Sequence, residues 1–229
     1  MSEYDPFAPI YDLWSEHMTE DVPFYIGLAR EADGPIAELA VGTGRVAIPV
    51  ARETGQRVVG VDLSPAMLAI ARERAAEAKV DLNLREQDMR DFELDEPAAL
   101  VYSPFRSLLH MPTWADKRRV FDRVTASLKP GGRFAWNVFV FDHEIASGIH
   151  GQHQEEPVPH TVRQMPHESR ADIQLDSGPA ISLWWATKNE WLGLIEVAGL
   201  EVEALYGDFE RGPFDEDSRE FVWVTRKPT

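Results

Sequence analysis

The run Glu38-Leu39-Ala40-Val41-Gly42-Thr43-Gly44-Arg45 leaves this chain few ways to fold. The apolar Pro35-Ile36-Ala37 leads into it, and a helical pattern, Val46 to Ala51, leaves it. That order reads as strand, tight glycine turn, helix. Gly42 and Gly44 accept backbone angles denied to other residues and carry no side chain to push a ligand away. A ligand can therefore lie on bare backbone at a helix N-terminus. A second apolar run, Arg57-Val58-Val59-Gly60-Val61, ends in Asp62. An acid at the tip of the second strand is placed to take the two hydroxyls of a ribose. The first inference is a nucleoside-containing cofactor.

Two cofactors fit a turn of this kind. Gly42-x-Gly44-x-x-Ala47 satisfies the dinucleotide fingerprint with alanine as the third small residue. Glu38, four residues before the first glycine, puts a carboxylate near the turn, where a pyrophosphate is repelled and an ammonium group welcomed. This favours S-adenosylmethionine (SAM) over NAD.

The rest of the chain supplies a scaffold for such a site. Ser64 suits an N-cap and Pro65 the first turn of a helix running through Ala78. Leu82 to Arg85 reads as a third strand, leading to Gln87-Asp88-Met89, and Ala98 to Tyr102 as a fourth, continuously apolar one. Thr113 caps a helix expected over Trp114 to Leu128, ended by Pro130-Gly131-Gly132, and a fifth strand is expected over Arg133 to Phe141. Strands alternating with helices predict an α/β fold, a doubly wound, mostly parallel seven-stranded sheet. Ligands of such sheets sit beyond the C-terminal strand ends, where Gly42, Asp62, Asp88, Ser103 and Asn137 fall. Residues 142–187 form an insert after strand five: a polar stretch to 159, then antiparallel strands with a turn at Asp176-Ser177-Gly178. Thr187-x-x-Glu190 is a capping box opening a helix to Val197, and two final strands, Glu201 to Tyr206 and Glu220 to Thr225, complete the sheet. Residues 1–34 have loosely helical apolar spacing and are expected to cover the cofactor as a lid or to pack on the sheet edge. One domain, 1–229, accounts for the length.

Composition excludes several functions. A net charge of −16 repels phosphate backbones and anionic lipid, so neither nucleic acid nor membrane is an expected partner. There is no cysteine, hence no thiolate nucleophile and no cysteine metal site. His150-x-x-His153 lacks an evident third ligand, so no metal is expected. The absence of cysteine and of an apolar N-terminal stretch fits a cytoplasmic chain. The expected partner is a small-molecule substrate, with a homodimer left open.

Four segments, in this order and spacing, carry a family resemblance: Glu38-x-x-x-Gly42-Thr43-Gly44, Val61-Asp62-x-Ser64-x-x-Met67-Leu68, Gln87-Asp88-Met89-Arg90-Asp91-Phe92 and Leu128-x-Pro130-Gly131-Gly132-Arg133. The chain resembles the class I SAM-dependent methyltransferases, which share a Rossmann-like fold. Tyr11-Asp12 and Ser107-Leu108-Leu109-His110-Met111 are similar to small-molecule members, including sugar amine and glycine-type N-methyltransferases. Ala40 departs from the pattern, standing where many members have glycine. The resemblance implies that Gly42 and Gly44 border the methionine part of SAM, with Ala40 beside them and Glu38 beneath. It implies that Asp62 holds the ribose, that Leu63 and Met67 lie on the adenine, and that Asp88 and the Met89 backbone read its edge. It also implies Ser103 backbone at the SAM amino group, and Tyr11, with Arg45 as a second candidate, at the carboxylate. The product left by transfer to a nitrogen or oxygen is S-adenosylhomocysteine.

His110 follows strand four at the expected pocket mouth and is the candidate base, since histidine titrates near neutral pH. Phe105, Trp184 and Tyr206 are candidate apolar substrate contacts, with Arg106 and Asn137 beside them at strand ends. Two rival readings are an NAD-dependent oxidoreductase built on the same turn and a SAM-binding protein without catalysis.

Overall fold

The computed structural model describes residues 4–15 and 18–229. After α1 (Tyr11–Ser15) and α2 (Asp21–Glu31), strand and helix alternate: β1 (Ile36–Leu39), α3 (Ala47–Thr54), β2 (Val58–Asp62), α4 (Pro65–Ala78), β3 (Leu82–Glu86), β4 (Ala98–Ser103), α5 (Trp114–Ser127) and β5 (Leu128–Phe139). The insert holds α6 (His143–Ile149), β6 (His153–Gln154), β7 (His160–Met165), β8 (Arg170–Leu175) and β9 (Ala180–Trp184). α7 (Lys188–Val197), β10 (Glu201–Tyr206) and β11 (Glu220–Arg226) follow.

Seven strands form one sheet in the order β10-β11-β5-β4-β1-β2-β3. β1 to β5 are mutually parallel, and β11 runs antiparallel between β5 and β10. The chain starts at β1 and winds outward twice, so the order reverses between β1 and β4, where a crevice opens at the C-terminal strand ends. One face of the sheet is covered by α2, α3 and α4, through Phe24, Tyr25, Val46, Val50 and Leu68. α5 and α7 cover the other, through Phe121, Val124, Trp191 and Leu194. There Phe134, Trp136 and Trp223 stack in sequence, Phe134 on Trp136 at 4.7 Å and Trp136 on Trp223 at 5.9 Å. Each such pair adds roughly 0.5–1.5 kcal/mol beyond its buried area.

The local signals are in place: Ser64 Oγ accepts from the Met67 N–H, Thr113 Oγ1 from the Asp116 N–H, and Thr187 and Glu190 form the reciprocal capping box. Strand five differs from expectation. The helix before it stops at Ser127, the strand starts at Leu128 and ends at Phe139, not Phe141, and Pro130-Gly131-Gly132 lies within it. Ala98 pairs with Leu128 but Leu100 with Arg133, so the glycine pair loops out surplus residues without leaving the sheet. Gly131 manages this at φ 75° and donates to the Lys227 carbonyl.

The insert is a four-stranded antiparallel sheet, β6-β7-β8-β9, with α6 occupying part of the stretch read as irregular. Of the expected N-terminal cover, residues 1–3, 16 and 17 lie outside the described residues. The remainder divides in two. Residues 4–15 pack Phe7, Ala8 and Tyr11 against Met67 and the insert residues Val162, Ile173 and Leu175. α2 instead belongs to the core of the main sheet.

Candidate functional site

A cavity of about 450 Å³ opens at the point where strand order reverses. Its floor is the glycine turn and the tip of β2, its roof residues 4–14, and its far wall the insert strands β8 and β9. Tyr11, Ala40, Gly42, Asp62, Leu63, Met67, Asp88 and Met89 border it, as do Phe105, Arg106, His110 and Trp184. Twelve of the residues singled out in the sequence thus meet in one place.

The turn is shaped by its backbone. Gly42 has φ 53°, and a side chain there would meet the Tyr11 ring at 3.8 Å. Gly44 has φ 83° and a different constraint: a Cβ would stand 2.9 Å from Ile48 Cδ1, so this glycine serves the packing of α3 and does not border the cavity. Ala40 holds φ 56°, a left-handed angle that costs an ordinary residue about 1–2 kcal/mol.

Two carboxylates flank the turn. Asp62 Oδ2 accepts from the Gly42 N–H at 2.8 Å and Oδ1 from the Ser64 N–H at 2.8 Å. Burial raises its pKa, opposed by the N–H groups of Ser64, Gly42 and Leu63. Glu38 lies beneath the turn, 1% exposed, and its Oε2 has no hydrogen-bond partner among the described residues. Burial lifts its carboxyl from 4.5 to about 8, against the neighbouring Tyr102 hydroxyl and the Arg45 charge. An orphaned acid under a bare glycine turn suits a cationic ligand. The cavity volume lies in the range of cofactor sites. SAM, which carries an ammonium and a sulfonium, fits these residues.

Tyr11 reaches over Gly42, with its phenol pushed by burial up to about 12, and meets Phe105 edge-on at 6.0 Å. Asp88 keeps a lowered pKa because Arg90 grips both carboxylate oxygens and also donates its own N–H. Arg90 is held in turn by Asp116 at 3.0 Å. His110 stands between the turn after β4 and β9. Burial depresses its pKa from 6.5 to about 4, opposed by a backbone hydrogen bond with Ser182. Its Nδ1 is buried without a partner among the described residues, and the Tyr4 ring meets it edge-on at 4.9 Å.

Besides that for Gly44, four expectations are corrected. Arg45 does not face the cavity: it donates to Asp21 at 2.7 and 2.6 Å and to the Met18 carbonyl, and lies 5.0 Å over the Phe105 ring, so it ties α2 to the turn. Asn137 lies behind the wall in a buried network with Tyr25, Phe105 and Glu220. Tyr206 faces the opposite side of the sheet and packs on Phe24 at 6.2 Å. Ser103, expected to offer its backbone, is fully buried and does not border the cavity. Sequence reasoning missed Tyr4, Phe7 and Trp14 in the roof and Ile173, Ile181 and Leu183 in the wall. The alternation of β8 and β9 contained part of that signal, but not which face looks inward.

The insert histidines have local partners. His153 Nε2 lies 3.0 Å from Asp176, and His150 Nδ1 accepts from the Gln164 N–H. Among the described residues no group of three His, Asp or Glu side chains is placed to hold a metal ion. Nor is any helix among them long and apolar enough to cross a membrane.

Comparison with known proteins agrees with this geometry. Residues 36–132 match a methyltransferase domain. The chain is 27% identical over 232 residues to the dTDP-4-amino-2,3,4,6-tetradeoxy-D-glucose N,N-dimethyltransferase of Saccharopolyspora spinosa, covering 90% of each chain. Some other curated relatives are matched over about half their length: methyltransferase GfsG of Streptomyces halstedii is 30% identical over 142 residues, 58% of this chain and 46% of its own. Among solved structures, the CcbJ methyltransferase from Streptomyces caelestis superposes with a TM-score of 0.76 at 25% identity, covering 92% of this chain and 90% of that one. A SAM-dependent methyltransferase from Clostridium acetobutylicum shares the fold over 100% of both chains, with a TM-score of 0.83 at 14% identity. The nicotinamide alternative is thereby set aside: together these similarities support a class I SAM-dependent methyltransferase.

Proposed function

We propose that this enzyme methylates a nitrogen or oxygen of a small, largely apolar acceptor, with an amino nitrogen favoured. One observation carries the reading: a single cavity joins the glycine turn and Asp62 at one end to His110 and the apolar insert residues Ile173, Ile181 and Leu183 at the other. The aminosugar dimethyltransferase among the relatives supports nitrogen. Gly42 and Ala40 would border the methionine part of SAM, Asp62 would hold the ribose, and Leu63 and Met67 would flank the adenine beside Asp88 and the Met89 backbone. Glu38 from below and Tyr11 would receive the amino acid end. When bound, SAM supplies a methyl group already made electrophilic by its sulfonium.

The protein's own part is orientation and exclusion of water. Residues 4–14 roof the cavity as a lid, and the insert walls it. His110, with a pKa of about 4, is a neutral imidazole at physiological pH. Its unpartnered Nδ1 would accept a hydrogen bond from the acceptor's N–H or O–H and aim the lone pair. His110→Gln should leave SAM affinity within about threefold and lower turnover roughly 10- to 100-fold. The wild-type rate attributable to His110 should fall only as pH drops through about 4. Unchanged turnover in the variant would remove His110 from the mechanism.

The function itself is tested by S-adenosylhomocysteine release from SAM against a panel of primary and secondary amines, phenols and carboxylates. Turnover with an amine or phenol is expected. SAM binding without turnover on any of them would favour a non-catalytic role. A cytoplasmic setting and a small-molecule partner belong to the same reading.

A further inference from the structure

The turn after β4 holds two consecutive non-glycine residues, Phe105 and Arg106, at left-handed angles of φ 55° and 62°. Such angles persist only where the surroundings over-determine them, and they gather at functional sites. Here the surroundings are a buried polar network. Asn137, 3% exposed, accepts with Oδ1 from the Phe105 N–H at 2.9 Å and from the Tyr25 hydroxyl at 3.0 Å. Its Nδ2 donates to Glu220 Oε1 at 2.7 Å. Glu220, 9% exposed at the start of β11, accepts from Arg106 Nε at 3.2 Å and from Nη2 at 2.9 Å. Phe105 and Arg106 border the cavity, while Asn137 and Glu220 stand behind them.

The arrangement fixes the charge of the wall as well as its shape. Arg90 and Arg106 are the arginines among the described residues bordering the cavity, and Asp88 and Asp116 occupy Arg90. Glu220 takes the Nε and Nη2 side of the Arg106 guanidinium and offsets its charge, so the donors left on Nη1 carry little net attraction for an incoming anion. An anion beside Arg106 would also meet the charge of Glu220.

We propose that Glu220 is a specificity-determining residue acting through Arg106: it cancels the cation on the acceptor wall, so the site takes uncharged acceptor bodies and disfavours carboxylates, sulfonates and phosphates. Asn137 is the positioning residue that holds the turn in place for this pair. The inference rests on the acceptor-site reading above, but its test does not require turnover.

Titration calorimetry on the protein saturated with S-adenosylhomocysteine compares two probes of one shape, 2-naphthylmethanol and 2-naphthoate. The wild type should bind the alcohol about tenfold more tightly than the carboxylate. Glu220→Gln keeps an acceptor for Asn137 and should move that ratio about tenfold towards the carboxylate, with alcohol affinity within about threefold of wild type. Adding Arg106→Met should restore the wild-type preference. An unchanged ratio in Glu220→Gln, a shift that survives in the double variant, or loss of both probes together, which marks a purely structural role, would overturn the proposal. So would a wild-type protein that binds neither probe. S-adenosylhomocysteine release from the acceptor panel would then show separately whether the proposed function stands.

Discussion

Asp62→Ala should weaken SAM binding at least about 100-fold, below detection by calorimetry at ordinary protein concentrations. Two losses combine in that figure. Asp62 is the proposed ribose contact, and each hydrogen bond to a charged group contributes roughly 1.5–3 kcal/mol. The same carboxylate takes the Gly42 N–H at 2.8 Å and the Ser64 N–H at 2.8 Å, so it also ties the glycine turn to the start of α4. Asp62→Asn separates the two roles. The amide oxygen still accepts one backbone N–H, but the NH₂ group faces the other as a second donor, and the charge is gone. Its affinity should fall between wild type and the alanine variant. If Asp62→Ala binds SAM within about threefold of wild type while remaining folded, the cofactor is not seated on the tip of β2, and the site assignment fails with it.

The sheet was legible because its signals are local. Glycine turn, Ser64 cap, apolar β4 and capping box each lie within a few residues, and the alternation of elements leaves one plausible winding. The errors arose where partners lie far apart in sequence. Arg45 at a helix start gives no hint that Asp21, 24 residues earlier, will claim it. Asn137 is read into the site from its strand end and Tyr206 from its aromatic ring, but neither signal says which way a side chain faces. Side chains alternate across a sheet. Tyr206 falls on the α2 side, and Asn137 is turned into a network completed by Glu220, 83 residues later.

The N-terminal segment illustrates the same limit. Its apolar spacing is similar throughout, yet residues 4–15 join the insert and α2 joins the main core. Hydrophobic periodicity states that a face is buried, without stating against what. The wall residues Ile181 and Leu183 alternate with Ser182, whose hydroxyl bonds Asp172. That pattern marks β9 as two-faced, and only the tertiary fold turns its apolar side to the cavity.

SAM affinity should rise with pH, by up to about tenfold per unit below pH 8 and levelling above it, because of Glu38. Its carboxyl is raised to about 8 by burial, so near neutrality the protein holds it largely protonated. A ligand with an ammonium and a sulfonium favours the ionised form, and binding must therefore expel the proton. The folding linkage has the opposite sign. A group whose native pKa is raised contributes stability that is complete below its ordinary value and is lost as pH climbs through the native one. The protein without added SAM should thus lose stability between about pH 4.5 and 8, over the same range in which its affinity for SAM grows. Calorimetry in buffers of different ionisation enthalpy reads the released proton directly, approaching one per SAM near pH 7. Glu38→Gln keeps the shape, removes the proton and should flatten the affinity profile, with binding at pH 8.5 weaker by about 10-fold or more. A wild-type profile already flat from pH 6 to 9, with no proton released, would mean that the orphaned oxygen beneath the glycine turn plays no part in receiving the cation.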